Sequence, residues 1–147
     1  MGDTEGMDNW DKTFKKHLVI EEYPKENGIK RNITYYYIKM PAFITDRDLV
    51  QENTTWLEYN GNPKNMLNVA KSTTHPKYPI KDKPIRANMI LSGVYLKEVG
   101  PNQTLAYLIN NFDLKMTVGK SIADSQAPER ASKFFPNLIN YIKKKQQ

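Results

Sequence analysis

The chain has 147 residues, 22 Lys and Arg against 16 Asp and Glu for a formal net charge of +6, and an apolar share of 39 %. No run approaches the roughly 18–20 apolar residues of a transmembrane helix, and the N-terminal stretch carries acids and lysines where a signal peptide has its apolar segment. Without cysteine there is no disulfide, thiolate ligand or cysteine nucleophile, and two histidines, His17 and His75, are too few for a histidine-rich metal site. One domain without metal or cofactor is expected, with cytosol as the default compartment. The positive charge suits nucleic acid, an anionic membrane surface or plain solubility alike. Basic residues are dispersed except for Lys143, Lys144 and Lys145, read as the solvated end of a helix, where cations are favoured.

Residues 1–9 have no apolar period and read as an irregular lead-in. Lys12 to Tyr23, centred on Leu18-Val19-Ile20, and Ile29 to Met40, rich in Ile, Thr and Tyr, read as two strands. Asn27-Gly28 between them is a strong hairpin signal. Leu49 to Tyr59, Asn65 to Thr73, Ile85 to Val99 and Gln103 to Met116 extend the series to six strands, with turn clusters at Asn60-Gly61-Asn62-Pro63 and Gly100-Pro101-Asn102. Pro76, Pro79 and Pro84 make 75–84 an irregular connection. The period then changes: Ala131, Phe134 or Phe135, Leu138 and Ile142 recur at helical spacing, with a break or kink expected near Pro136. The expectation is an α+β fold in which an antiparallel meander of about six strands packs on one long C-terminal helix.

Several fragments, in order, resemble one family. Trp10-Asp11-Lys12, then Tyr35-Tyr36-Tyr37-Ile38-Lys39-Met40-Pro41, then Asp46-Arg47-Asp48, then Arg86, Ser92-Gly93, Phe112-Asp113 and Phe134-Phe135-Pro136 are similar to the signature of the StAR-related lipid-transfer (START) domain. The resemblance runs from about Trp10 to Lys143. It implies a helix-grip fold over residues 10–145, a curved sheet wrapped on the C-terminal helix and enclosing a cavity for one lipid. A lipid tail entering such a cavity leaves water at roughly 0.8 kcal/mol per buried methylene, while the headgroup needs a few placed polar side chains.

The resemblance and strand alternation together name the lining. Asp11 and Tyr36 face the implied cavity, with Leu49, Gln51, Asn53 and Thr55 on the next strand, Asn68, Ala70 and Ser72 on the one after, and Asn88, Ile90 and Ser92 on the following one. The chain also departs from the family pattern. Asn53 stands where many members carry Arg, and Met7 stands where the phosphatidylcholine-binding pattern has Arg. The aromatic choline cage would fall on Tyr36, Leu49 and Ile90, of which only the first is aromatic, so cation–π attraction is lacking and a sterol, ceramide-like or other neutral lipid is favoured over choline. Pro41 to Thr45 occupies the place of the loop that gates the cavity together with the C-terminal helix, whose Phe135 and Leu138 belong to the same gate. Phe43 and Ile44 in that loop are the expected membrane contacts; the plain alternative packs both on the helix.

Other motifs carry plainer readings. Asp46-Arg47-Asp48 is a structural hinge before it is a carboxylate pair. Gly119-Lys120-Ser121 imitates a P-loop end, but the first glycine of that motif falls on Leu114. The sequons at Asn32, Asn53 and Asn102 mean nothing without secretion. His17, mid-strand among lysines, is expected to be exposed, and His75 sits in a loop without a triad pattern. Tyr35-Tyr36-Tyr37 alternate across the sheet, so at most two could serve one nucleic-acid-stacking surface, and no RNP-type motif accompanies them.

The expected function is non-catalytic binding, and transfer between membranes, of one lipid, with a transient membrane surface as partner and no nucleic acid. A regulatory or interaction module on the same fold is the alternative; a nucleic-acid-binding β-rich domain ranks behind both. A full START domain has a helix, about three strands and two further helices before the position of Trp10, where this chain has nine residues. The chain is therefore expected to be either a fragment or shortened product or a reduced version of the fold, in both cases with an open sheet edge along Gln103 to Met116 that invites a homodimer.

Overall fold

The structure, a computed structural model, describes residues 11–116 and 120–145, with the side chains of 120–127 and 129–131 outside that description. The expected lead-in at 1–9, together with Met7 and Trp10 of the family motif, lies outside the described residues.

Seven strands form one sheet: β1 (Phe14–Glu22), β2 (Ile29–Ile38), β3 (Arg47–Leu57), β4 (Met66–Ser72), β5 (Ile85–Arg86), β6 (Asn88–Gly100) and β7 (Gln103–Asp113). Their order is β1-β2-β3-β4-β6-β7, each pair antiparallel, as the turn-linked meander predicts. The β1–β2 hairpin turns at Asn27 and Gly28, both with positive φ (50° and 76°), a geometry that Asn-Gly adopts at low cost. The expected single strand Ile85 to Val99 is instead two. β5 pairs parallel with the start of β3, through Arg47↔Ile85 and Asp48↔Arg86, and Ala87 separates it from β6. Asp113 Oδ1 accepts a bond from Lys115 N (2.7 Å), and Lys115 has a positive φ of 50°, so β7 stops short of Met116.

The C-terminal helix α1 (Lys120–Lys145) is 26 residues long and runs unbroken through Pro128 and Pro136. The expected break at Pro136 is absent: a proline removes one backbone donor from a helix, and the bonds of the turns around it keep the element continuous. Phe134, Phe135, Leu138 and Tyr141 are half-buried on one stripe, while Ile139 and Ile142 are exposed.

The two faces of the sheet differ in chemistry. One carries the hydrophobic core of Ile33, Tyr35 and Val50, with Ile20, Tyr37 and Tyr78 packed against it. The proline-rich connection 73–84 covers this face. Tyr78 stacks on Tyr35 with ring centroids 4.1 Å apart, Arg86 donates to the carbonyls of Tyr78 (3.0 Å) and Pro79 (3.4 Å), and His75 pairs with Glu21 at 3.0 Å. The opposite face carries the polar side chains that concern function.

Candidate functional site

Cross-strand register sets this polar face out in rows, since residues directly opposite in a sheet share a side. His17, Tyr36 and Leu49 form one row; Thr34, Gln51 and Ser72 the next; Asn32, Asn53, Ala70, Ser92 and Asn110 a third; and Thr55, Asn68, Val94 and Leu108 follow. Tyr36, Leu49, Gln51, Asn53, Ala70 and Ser92 thus stand on one side of the sheet, as alternation implies. Leu49, Gln51, Asn53 and Ala70 are buried.

A chain of neutral hydrogen bonds crosses β2 and β3. Gln51 Nε2 donates to Asn53 Oδ1 (2.8 Å) and to Tyr36 Oη (3.4 Å), and Asn53 Nδ2 donates to Asn32 Oδ1 (3.0 Å) and Thr34 Oγ1 (2.9 Å). Two satellite pairs extend it: Asn68 Nδ2 donates to Thr55 Oγ1 (2.8 Å), and Ser92 Oγ donates to Asn110 Oδ1 (2.7 Å). Thr34, Gln51 and Asn53 are 1 %, 7 % and 9 % exposed, so these groups have exchanged water for one another. Burial pushes the Tyr36 phenol above its usual range, and its hydrogen bond with Thr34 opposes the rise.

His17 corrects the sequence expectation. It is buried, not exposed, and stacks on Tyr36 with centroids 4.5 Å apart. The register pairs it with Tyr36, which puts it on the polar face while Lys15 and Lys16 stay in solvent. A second departure lies on β6. The register shifts between Met89 and Leu91, so Met89 stands across from Phe112 and Asn88 across from Asp113, while Ile90 is the extra residue, 55 % exposed. A bulge moves the alternation by one position, so Asn88 and Ser92 do not share a side. Asn32, Thr34, His17 and Asn110 belong to the face and were not singled out by sequence. The period of two backward from Tyr36 reaches Thr34 and Asn32, whereas His17 and Asn110 depend on pairing partners that only the register supplies.

Asp11 is half-buried and accepts a bond from Thr13 N through Oδ1 (3.0 Å), which fixes the entry to β1. Asp46-Arg47-Asp48 is structural throughout. Asp46 accepts from Met40 N and from Tyr37 Oη, both at 2.9 Å; these bonds, the Met40 amide first, hold its carboxyl below the usual range and raise the Tyr37 phenol. Arg47 donates to the carbonyls of Thr45, Leu114 and Lys115, joining β3 to the segment after β7, and Asp48 pairs with Arg86.

The loop between β2 and β3 is held at both ends by the Asp46 bonds and by Ile44 N donating to the Pro41 carbonyl (3.1 Å). Phe43 at its tip has a positive φ of 73° and a fully exposed ring, 108 %, so it does not pack on the helix; Ile44 is half-buried. Phe135 and Leu138, the other expected gate residues, are half-buried on the helix stripe, Phe135 in edge contact with Phe134 at 5.3 Å. Among the described residues no group of three or more His, Cys, Asp or Glu could hold a metal ion, and no helix is long and apolar enough to cross a membrane.

An antiparallel sheet of seven strands followed by one long C-terminal helix is the START-like helix-grip architecture. The family model for the START domain matches residues 1–144, and the chain belongs to that family, whose members are lipid-binding and lipid-transfer proteins. Its sequence is 24 % identical over 150 residues to START domain-containing protein 10 of Mus musculus, covering 99 % of this chain and 48 % of the mouse protein. The crystal structure of human STARD10 superposes with a TM-score of 0.80 at 21 % identity, covering 98 % of this chain and 57 % of that one. Human StAR-related lipid transfer protein 5 gives 0.78 at 19 % identity, covering 95 % and 65 %. The chain thus spans about half the length of the curated relative it matches.

Proposed function

We propose that this chain binds one lipid in an internal cavity bounded by the polar face of the sheet and the C-terminal helix, and exchanges it with a membrane without catalytic chemistry. The observation that carries this is the cluster of neutral hydrogen-bonding side chains formed by buried Thr34, Gln51 and Asn53 with half-buried Tyr36, in a family of lipid-binding proteins. A uniformly packed core has no use for so many polar groups, whereas a lipid headgroup leaving water needs them. Leu49, Ala70 and Ser92 complete the lining in this proposal, while Ile90, at the bulge, and Asp11 stand at its margin.

Membrane contact is assigned to Phe43, with Ile44 behind it and Phe135 and Leu138 on the helix forming the other side of the gate. A bulky residue held at positive φ with its ring wholly in water is unfavourable in isolation, and an apolar surface to enter accounts for it. The Lys143–Lys145 run adds attraction to anionic lipid. The working compartment is the cytoplasm, with peripheral membrane contact.

A second copy of the chain is the proposed partner along β7. Gln103 to Phe112 contains no charged residue and no proline, whereas the other edge strand, β1, carries Lys15, Lys16, Glu21 and Glu22. Charges and prolines are the usual guards of a sheet edge. Antiparallel self-pairing of β7 sets no like charges against each other. Transfer is tested by moving a fluorescent lipid from donor to acceptor vesicles: acceleration by the protein is expected, and a rate equal to the protein-free control rejects transfer.

A further inference from the structure

We infer that Tyr36 and Gln51 together dock an uncharged hydroxyl or amide headgroup, so that the lipid is a neutral one; this deepens the lipid-binding proposal and rests on it. The donors of the network are committed in one direction. Asn53 Nδ2 spends its protons on Asn32 and Thr34, and Gln51 Nε2 spends its own on Asn53 and Tyr36. Among the described residues, both hydrogen bonds of Gln51 run through Nε2, and Oε1 accepts none, although the residue is only 7 % exposed. That oxygen keeps contact with the space in front of the face, where a donor from a ligand can pair with it.

Tyr36 supplies the complementary half. Its Oη accepts from Gln51 Nε2 and, among the described residues, donates to no acceptor within hydrogen-bond geometry. The phenol proton is then left for an outside acceptor. One neutral donor and one neutral acceptor, on residues whose polar atoms lie 3.4 Å apart, match a hydroxyl, which donates once and accepts once, or a secondary amide, which does the same.

Charged headgroups fit badly. The register neighbours of the pair are Leu49, Thr34 and Ser72, with His17 stacked on the Tyr36 ring, and none is a carboxylate, Lys or Arg. Arg47, the buried cation on this side of β3, lies four residues from Gln51, about 13 Å along a strand, with its guanidinium turned to three carbonyls. Among the described residues a phosphate in the cluster would meet no counter-charge, and an unpaired buried charge is the costliest occupant of such a site. A quaternary ammonium would find the Tyr36 ring already engaged by His17 at 4.5 Å and by Phe14 at 5.5 Å, with Leu49 across from it, and so not open to a cation.

The test incubates the full chain with phosphatidylcholine vesicles containing equimolar cholesterol, ceramide, diacylglycerol and phosphatidylserine, re-isolates the protein, and identifies the retained lipid by mass spectrometry. A phosphate-free lipid is expected, and the species retained distinguishes sterol hydroxyl, glycerol hydroxyl and ceramide amide. Retention of phosphatidylcholine or phosphatidylserine overturns the inference while leaving lipid binding standing; retention of no lipid overturns both. Tyr36→Phe keeps the ring and removes the donor, and Gln51→Leu removes the acceptor. Each should lower retention of the neutral lipid about tenfold, the scale of one buried hydrogen-bonding group left unpaired, with an unchanged thermal transition for Tyr36→Phe. Undiminished retention by Tyr36→Phe places the headgroup elsewhere and overturns the assignment.

Discussion

Arg86 grips Asp48 with two parallel bonds, Nε to Oδ1 at 2.7 Å and Nη2 to Oδ2 at 3.0 Å, and both side chains are less than a tenth exposed. The pair lies where β5 runs parallel to β3, and the same guanidinium holds the carbonyls of Tyr78 and Pro79. It therefore fastens the 73–84 connection over the apolar face. Planar two-point recognition of this kind is the geometry that Arg supplies and Lys does not.

Arg86→Met is expected to destabilise the fold by about 3–5 kcal/mol, because it leaves the Asp48 carboxylate buried without a partner. Urea unfolding measures it. A loss under about 1 kcal/mol would show that water reaches Asp48.

Tyr35 gives the fold an alkaline limit. Burial, with the neighbouring Asp48 charge, pushes its phenol up to about 12, against the opposing effect of Arg86 and from an ordinary value of 10.0. A group whose pKa is raised by folding stabilises the native state fully below its unfolded value and loses that contribution as pH climbs through its folded value. Stability should therefore decline between about pH 10 and about pH 12. Tyr35→Phe should flatten this decline in urea midpoints measured across that window, and an unchanged slope would contradict it.

Phe43→Asn separates membrane contact from folding. Asn tolerates positive φ better than Phe, and the exposed ring contributes little to packing, so thermal stability should stay within about 0.5 kcal/mol of wild type. Binding to vesicles should fall about tenfold, since an aromatic ring entering an apolar phase is worth roughly 1.5–3 kcal/mol when fully buried. Sedimentation with vesicles reads the difference; equal binding would mean that the loop does not touch the membrane.

The β7 edge predicts concentration-dependent dimers in analytical ultracentrifugation. Ile109, exposed on β7, should abolish them as Ile109→Lys, which places a charge inside the uncharged run Gln103 to Phe112. A wild-type chain that sediments as a monomer at all concentrations would contradict the edge pairing.

Much of the fold is legible in local chemistry. Asn27-Gly28 announces its hairpin, and the period of two through Leu49, Gln51 and Asn53 puts all three on one face. What escapes is set by pairing between strands. The bulges between Phe14 and Lys16, between Val19 and Glu21, and between Met89 and Leu91 each shift alternation by one, and no residue type there announces a shift. The burial of His17 follows from its register partner Tyr36, and the separation of β5 from β6 follows from a parallel pairing with β3, neither of which is written in the local run of residues. Asn32 and Thr34 were within reach of the period through Tyr36, so that part of the site was readable.

Native mass spectrometry of the chain after incubation with vesicles tests the central claim most directly. The account predicts a discrete added mass equal to one lipid per chain. A spectrum showing only the bare protein, from material that is folded by circular dichroism and has been exposed to neutral and phosphate-bearing lipids alike, would contradict it.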